Sequence, residues 1–219
     1  MRELPILFST PMVQSILDGR KSMTRRIIKP SVVDKFNLNP SGKLLGSFSE
    51  EVGDIYPTVD DCQYQPGDYL WVRETWTKYY YSDENGYTHY DQPMIYYAAD
   101  GEPDFRIVDG DGFEVDDQRI KWKPSIHMPK SAARIWLEVT DVRVERLQDI
   151  TEADAITEGI ENGQLYYYGE PHAIKGSPKC CNTAKEAFKG LWNSLNAKRG
   201  YGWDTNPWVW VISFRRINL

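Results

Sequence analysis

The stretch over residues 10–30 predicts a short helix that stops before an extended, charged segment. Thr10 is expected to cap this helix, with Pro11 at its first position, where an N–H would have no helical partner. Apolar residues then recur at helical spacing along one face. Gly19 is the expected stop, because the left-handed conformation beyond a helix C-terminus favours a residue without Cβ. Residues 21–28 are expected to be extended.

Five cations follow this stop with no acid among them. They are Arg20, Lys21, Arg25, Arg26 and Lys29. The whole chain holds 26 Lys and Arg against 32 Asp and Glu, so the cluster stands in a protein that is acidic elsewhere. Such a cluster indicates an anionic or nucleotide-like ligand, and a solvated basic turn is the alternative. The net charge of −6 argues against coating a long nucleic acid but allows a nucleotide ligand or a locally basic RNA groove.

The 219 residues suffice for one sizeable domain with its own core. No apolar run approaches the length of a membrane span, and the first residues lack the pattern of a signal peptide. Cys62, Cys180 and Cys181 are an odd and partly adjacent set, which is typical of reduced cysteines in the cytoplasm. We therefore expect a cytoplasmic protein without a membrane partner, a metal site or a cofactor.

A turn at Pro66-Gly67-Asp68 leads into a predicted strand over residues 69–76. Counting by twos places the apolar side chains of this strand on one face. Glu74 falls on that same face, where a carboxylate must be paired, protonated or functional. A pair with an arginine is the commoner arrangement for such a residue, and a role in a binding site is the alternative.

Further strands and capped helices follow later in the chain. Strands are predicted over residues 94–98, 133–144 and 208–214. Two helices are predicted to begin at capping residues, one at Thr151 with a near capping box to Asp154 and one at Thr183 with a capping box to Glu186. The second of these helices has the strongest apolar periodicity, at Ala187, Phe188, Leu191, Trp192 and Leu195. Strands that carry short helices without regular alternation predict an α+β fold such as a small partly open β-barrel, rather than a doubly wound sheet.

Three polar segments interrupt these elements and are interpreted as insertions into one domain over residues 1–219. They lie at about 31–66, 77–121 and 161–182. The first is longer than a tight connection, which indicates an insertion or a flexible arm. The second is acidic over residues 82–119 without the spacing of a calcium loop, so its acids are expected on the surface.

Lys21 and Thr24 form a candidate catalytic pair. A threonine hydroxyl attacks only when a base takes its proton, and a neutral lysine can be that base. Neighbouring arginines lower the pKa of a lysine, because like charges disfavour the ammonium form. Residues three apart on a straight strand face opposite sides, so the pair meets only where the chain bends. A strand threonine beside a solvated lysine is the alternative, and His127, between two prolines, is a separate candidate with a structural alternative.

Four motifs in this order resemble those of ASCH domains in the PUA-like superfamily. They are Gly19-Arg20-Lys21-Ser22-Met23-Thr24-Arg25, similar to the signature G-R-K-T-x-T-x-R; Pro66-Gly67-Asp68; Val139-Thr140-Asp141-Val142 with the segment 150–155; and the closing strand 208–214. Residues 71–76 and 124–129 resemble the phage and prophage branch of ASCH-like proteins. Ser22 stands where threonine is usual, and the three insertions have no counterpart in the small bacterial members.

The resemblance implies a β-barrel with helices over one mouth. Small bacterial members of the family are amidohydrolases that remove the acetyl group from N4-acetylcytidine, and their catalytic lysine, threonine and glutamate fall on Lys21, Thr24 and Glu158. In that scheme Lys21 deprotonates Thr24, Thr24 attacks the amide carbonyl and Glu158 protonates the leaving amine. A different acylated substrate, or none, is open for the phage branch.

The remaining candidate residues are expected to bind the substrate. They are Arg20, Arg25, Arg26, Trp71, Glu74, Trp76, Trp122, Ser125 and His127. Arg20 or Arg25 would stabilise the developing oxyanion, and tryptophans such as Trp71, Trp76 and Trp122 would stack on the base of a nucleoside. The alternative function is a non-catalytic RNA- or nucleotide-binding module whose basic cluster contacts phosphates, because a fold does not fix a function. A phage protein that binds a host partner through its acidic insertions is a third possibility.

Overall fold

The computed structural model describes the chain in segments separated by gaps. The described residues are 1–29, 61–81, 85, 87, 89–90, 93–101, 107–108, 113–115, 120–161 and 181–218. Most of the insertions predicted at 31–66 and 161–182, and parts of the one at 77–121, lie outside the described residues. The single domain over residues 1–219 stays a prediction.

Strands and short helices both occur in the described chain. In chain order they are β1 Glu3–Leu7, α1 Thr10–Leu17, β2 Met23–Ile27, β3 Tyr69–Arg73, β4 Trp76–Tyr81, β5 Met94–Tyr97, β6 Ile107–Val108, β7 Glu114–Val115, β8 Trp136–Arg146, α2 Glu152–Thr157, α3 Ala184–Asn196 and β9 Trp208–Ile217. They fall into two compact units. The first comprises Met1, Arg20–Asp68 and Glu138–Arg215, and the second comprises Arg2–Gly19, Tyr69–Leu137 and Arg216–Leu219.

The first unit contains an open run of three strands in the order β8-β9-β2. β2 runs antiparallel to β9, with Thr24 opposite Ile212 and Arg25 opposite Val211. Because side chains alternate along a strand, Thr24 and Arg25 face opposite sides of this sheet. This alternation decides which of the two side chains faces the helices of the unit.

The helices of the first unit supply most of its apolar core. Its buried members include Ala155 from α2, Phe188 and Trp192 from α3, and Val209 and Val211 from β9. The predicted cap of α2 is confirmed, since the Thr151 hydroxyl accepts from Asp154 N at 3.0 Å within a reciprocal capping box. Met23 and Ile27 of β2 pack against the same core, so this face of β2 is the one turned towards the helices.

α3 begins as predicted but differs from the prediction at two points. The Thr183 hydroxyl accepts from Glu186 N at 3.1 Å, whereas the Glu186 carboxylate accepts from Asn182 N, so the capping box is only half formed. Leu195, predicted on the apolar face, is 45% exposed. In the last turn of the helix the buried side chain is that of Asn196, which donates to Trp192 O at 3.2 Å, rather than that of Leu195.

The second unit begins with β1 and α1. The residue that precedes α1 as its N-cap is Ser9, and the prediction of Thr10 was wrong by one position, because Thr10 already has helical geometry ahead of Pro11. Gly19 has φ +73°, which confirms it as the left-handed stop after the helix. Among the described residues other than its two chain neighbours, no atom lies within 4 Å of where a Cβ on Gly19 would stand, so the backbone conformation is what favours glycine there.

β1 and β3 pair in parallel within the second unit, with Pro5 opposite Trp71. The strand predicted over residues 69–76 is two strands, β3 and β4, with a break at residues 74–75. The predicted burial alternation nevertheless continues across this break, since Leu70, Val72, Glu74 and Trp76 are all buried. β4 is also part of an antiparallel four-stranded sheet in the order β5-β4-β6-β7.

Each unit therefore combines strands with short helices, which confirms the α+β class. The strand β8 also confirms the alternation predicted for residues 133–144, with Leu137 and Val139 buried. None of the described helices has the length and apolar character that crossing a membrane requires.

Candidate functional site

Lys21 lies just before β2 and is held against the end of α2. Its backbone forms an isolated antiparallel bridge with Glu158, and Ser22 N donates to Thr157 O at 3.0 Å. Glu158 is the C-cap residue of α2, and Gly159 after it has φ +96°, which turns the chain away from the helix axis. The helix end thus brings its last carboxylate to the segment that carries Lys21.

The Lys21 ammonium is buried and donates three hydrogen bonds. Nζ lies 2.7 Å from Glu158 Oε2, 2.7 Å from Glu158 O and 2.7 Å from Met23 O. The Lys21 side chain is 0% exposed. An ammonium carries three protons, so these contacts use all of them. Lys21 is therefore an ion-pair partner of Glu158 in this structure, and the solvated lysine considered above is wrong.

Opposing effects act on the pKa of Lys21. Burial is the largest and lowers the pKa below its ordinary value, because the charged amine loses its hydration. The Glu158 carboxylate raises the pKa, and the neighbouring charges of Arg26 and Arg25 lower it further. The net direction is downward, which brings the neutral amine nearer to the working range of a base.

Arg25 approaches the same carboxylate from β2. Its Nη1 donates to Glu158 Oε1 at 3.2 Å, so the two oxygens of Glu158 are bound by two different cations. Its Nη2 donates to Glu145 Oε2 at 3.1 Å and to Asp154 Oδ2 at 3.1 Å. The Arg25 side chain is fully buried, and its guanidinium lies 5.9 Å from the centre of the Phe188 ring. These contacts occupy both terminal nitrogens of Arg25.

We call Glu145, Asp154 and Glu158 the carboxylate cluster. Arg143 on β8 also binds it, through Glu145 Oε1 and, at 3.6 Å, through Asp154 Oδ2. Glu145, Asp154 and Arg143 are not among the site residues predicted from the sequence. A weak signal exists in the alternation of Arg143 and Glu145 along β8, but local sequence holds nothing that pairs them with Arg25.

Thr24 is buried in the same unit, one residue before Arg25. Its side chain takes the opposite face of β2 from Arg25. Ser22 O accepts from Phe214 N at 2.9 Å, so the pairing with β9 continues one residue before β2. The bend between Lys21 and Thr24 that would bring their side chains together stays a prediction. The catalytic roles of Lys21, Thr24 and Glu158 stay predictions, with two of the three side chains in direct contact.

The other predicted arginines of the first unit have less central positions. Arg20 Nη1 donates to Gly159 O at 3.1 Å, beside the end of α2. Arg26 is partly buried, and burial lowers its pKa while the charges of Tyr64 and Glu158 oppose the change. Burial raises the pKa of the Tyr64 phenol. Tyr64 is thus an aromatic neighbour of this site that the sequence analysis did not select.

Glu74 belongs to the second unit and is paired with an arginine. The side chain is 1% exposed, and Arg134 donates from Nε to Oε1 at 3.0 Å and from Nη2 to Oε2 at 3.0 Å. Arg134 Nη1 also donates to Asp100 Oδ2 at 2.6 Å, and its guanidinium stacks 3.9 Å from the centre of the Tyr97 ring. Burial raises the pKa of Glu74, and Arg134 opposes that rise. This geometry favours the arginine-paired interpretation over a binding role.

The remaining predicted binding residues also lie in the second unit. Trp76 is buried and packs in a small core with Met128. Trp71 is partly exposed, with the Arg73 guanidinium 5.4 Å from its ring centre. Ser125 and His127 lie in a 3-10 turn, and Trp122 is partly exposed just before it. Contact of these residues with a ligand stays a prediction.

No protein-family model and no curated protein matches the chain. Among solved structures, the chain is similar to the crystal structure of an ASCH domain from Lactobacillus crispatus JV V101. The likeness covers 98% of this chain and 79% of that chain, at 12% sequence identity and a TM-score of 0.38. Because a score this low supports no inference, we interpret the site from its own geometry.

The contact between Lys21 and Glu158 defines what the site can do chemically. A buried amine and a buried carboxyl that share a short hydrogen bond can exchange a proton between them. Exchange would convert the ion pair into a neutral amine and a neutral carboxylic acid, and burial lowers the pKa of the Lys21 amine. Such an exchange would give the site one base and one acid.

Proposed function

We propose that this protein is an amidohydrolase of the ASCH, PUA-like type that acts on an N-acylated nucleoside such as N4-acetylcytidine. We place it in the phage and prophage branch, acting in the cytoplasm. One observation carries the proposal. Lys21 and Glu158, which the resemblance pairs as catalytic residues, are 137 residues apart in sequence yet meet at 2.7 Å in a buried position.

The proposed reaction begins with the proton that these two residues share. Transfer of the proton from Nζ to Oε2 leaves Lys21 as a neutral base and Glu158 as a protonated acid. The lowered pKa of Lys21, caused by burial and by neighbouring arginines, supports this step. The protonation states that amide hydrolysis needs are then both present without a cofactor or a metal ion.

Thr24 is the proposed nucleophile. As Thr24 Oγ1 bonds to the acyl carbon, its proton passes to Nζ of Lys21. As the C–N bond breaks, the proton on Glu158 passes to the leaving nitrogen, which restores the ion pair. Water then cleaves the Thr24 ester, and one of its protons returns to Oγ1 as the carboxylic acid leaves.

The site geometry also bears on the alternative of phosphate binding. Lys21 and Arg25 are buried and bound by the carboxylate cluster, so neither offers an exposed charge to a phosphate. An N-acylated nucleoside carries no charge, and its recognition requires no excess of cations. The enzymatic hypothesis therefore fits these two residues better than an RNA-binding surface does.

The experiment is incubation of the purified protein with N4-acetylcytidine, followed by chromatographic separation of cytidine. We expect wild type to release cytidine, and Lys21→Ala, Thr24→Val and Glu158→Gln to be slower by on the order of 10²–10⁴-fold. Mass spectrometry of quenched reactions is expected to find the acyl group on Thr24. The site predicted from three residues is thus tested at each of them.

Lys29→Ala is the matched control, because Lys29 is an exposed cation of the same segment. It is expected to retain the wild-type rate. Wild-type release of cytidine no faster than that of Lys21→Ala would reject the proposal for this substrate.

A further inference from the structure

Arg25 links Glu158 to the rest of the carboxylate cluster. One terminal nitrogen, Nη1, binds Glu158 Oε1 at 3.2 Å. The other, Nη2, is anchored on Glu145 of β8 and on Asp154 of α2, both at 3.1 Å. The guanidinium of Arg25 therefore connects the carboxylates of Glu145 and Asp154 to the carboxylate of Glu158, which contacts Lys21.

We propose that Arg25 is a positioning residue that orients Glu158 so that its Oε2 faces the amine of Lys21. Its effect on the reaction rests on the proposed function, whereas its effect on the contact between Lys21 and Glu158 does not. This assignment replaces the oxyanion role considered for Arg25, because both of its terminal nitrogens are already bound to carboxylates.

The position of Glu158 shows why such an anchor is needed. Glu158 is the C-cap of α2, beyond the last helical residue, so the helix itself does not fix its side chain. A carboxylate can rotate, and its two oxygens are equivalent until different donors bind them. Here Arg25 takes Oε1 and Lys21 takes Oε2, which leaves the carboxylate one orientation.

Arg25 is itself fixed from several directions. Arg143 binds the second oxygen of Glu145, Oε1, and lies 3.6 Å from the same Asp154 oxygen that Arg25 contacts, so both anchors of Nη2 have a further cationic partner. The ring of Phe188 lies 5.9 Å from the Arg25 guanidinium. A planar guanidinium presents its donors in a rigid fork, and a lysine ammonium at the same position has no such fork. Orienting Glu158 therefore requires an arginine at position 25, and a positive charge alone is not sufficient.

The test is the charge-conserving variant Arg25→Lys. The pKa of Lys21 is measured by NMR in protein that carries isotope-labelled lysine. The Lys21 signal is identified as the one that is missing from the spectrum of Lys21→Arg. Because Arg25→Lys keeps the charge but releases Glu158, the ammonium of Lys21 loses its partner and its pKa falls relative to wild type. In the deacetylation assay, kcat is expected to fall on the order of 10- to 100-fold, as for other orienting residues, with KM unchanged.

Arg215→Lys is the matched control. Arg215 donates from Nε to Glu138 Oε2 at 2.8 Å in the same unit and has no contact with the carboxylate cluster among the described residues. It is expected to leave both the pKa of Lys21 and kcat unchanged. If Arg25→Lys does not fold, Glu145→Gln replaces it, because that change removes one anchor of Arg25 and is expected to act in the same direction.

The two measurements separate the two proposals. A wild-type protein that is inactive on N4-acetylcytidine, together with a fall in the pKa of Lys21 in Arg25→Lys, would reject the substrate and support the positioning role. An active wild type, with the pKa of Lys21 and kcat of Arg25→Lys equal to those of Arg215→Lys, would overturn the positioning role and leave the proposed function standing.

Discussion

The buried pair of Glu74 and Arg134 allows a quantitative test of a structural role. Replacing Arg134 by Met removes both donors of the fork and leaves the Glu74 carboxylate buried without its counter-ion. Breaking a buried ion pair on one side costs about 3–5 kcal/mol. Arg134 is 27% exposed, so water replaces part of what is lost, and we expect a loss of about 2–4 kcal/mol in the free energy of unfolding.

The measurement is urea denaturation followed by tryptophan fluorescence, with the wild type and the double variant Glu74→Leu/Arg134→Met alongside. The double variant removes the uncompensated charge, so it is expected to recover most of the stability that Arg134→Met loses. This recovery distinguishes a buried ion pair from a general packing defect, because the double variant lacks the arginine as well.

The same variant has a predictable dependence on pH. Burial raises the pKa of Glu74 above its unfolded value of 4.5, so the folded state binds this proton more tightly than the unfolded state does. Loss of Arg134 removes an interaction that opposes the rise, so the pKa rises further. Protonated Glu74 therefore adds to the free energy of unfolding at low pH. This contribution is lost as the pH rises through the pKa of Glu74 in the folded state.

The destabilisation by Arg134→Met is therefore expected to be largest near neutral pH and to shrink as pH falls towards the unfolded pKa of 4.5. The double variant, which has no carboxyl at residue 74, is expected to lack this dependence. If Arg134→Met lowers the free energy of unfolding by less than about 0.5 kcal/mol, the range of ordinary surface substitutions, the structural role of the pair is refuted. Glu74 would then again be a candidate for ligand binding.

Two further predictions concern packing and backbone geometry. Trp192→Ala in α3 is expected to reduce the free energy of unfolding by about 3–5 kcal/mol, whereas Leu195→Ala on its exposed side is expected to change it by no more than about 0.5 kcal/mol, both measured by urea denaturation. Gly19→Ala is expected to cost about 1–2 kcal/mol in the same assay, because the only penalty is a left-handed backbone with a Cβ, and equal stability of Gly19→Ala and wild type would contradict the geometry of this turn.

Helix ends and strand burial could be predicted from the sequence, because interactions between residues close in the chain determine them. The stop at Gly19 follows from its positive φ, and the start of α2 follows from the bonds between Thr151 and Asp154, three residues apart. The burial of Glu74 followed from counting by twos along its strand, and that count survived a break in the strand. In each case the residues that determine the structure lie within a few positions of one another, so their pattern can be recognised in the sequence.

The errors arise where distant partners decide the outcome. Leu195 fits the helical period of α3, but its exposure depends on where the core ends. The basic segment after Gly19 suggested exposed charge, yet Arg25 meets Glu145, Asp154 and Glu158, which are 120, 129 and 133 residues away. Spacing along the chain contains no information about such pairs. The pairing of Lys21 with Glu158 was anticipated through the family resemblance rather than through any local pattern.

The carboxylate cluster bears on why the buried pair of Lys21 and Glu158 exists. Burying two charges costs several kcal/mol of hydration, and an apolar pair of similar volume is often equally stable or more stable. The buried pair of Lys21 and Glu158 is thus a poor way to gain stability. Arg25 nevertheless holds Glu158 through a buried contact and is itself held by the partly exposed carboxylates of Glu145 and Asp154. A rigid, buried acid–base pair is instead what proton transfer requires, since its groups must stay aligned and shielded from water. This balance supports the proposed role of Lys21 and Glu158 in proton transfer, in which case the fold bears the cost in stability.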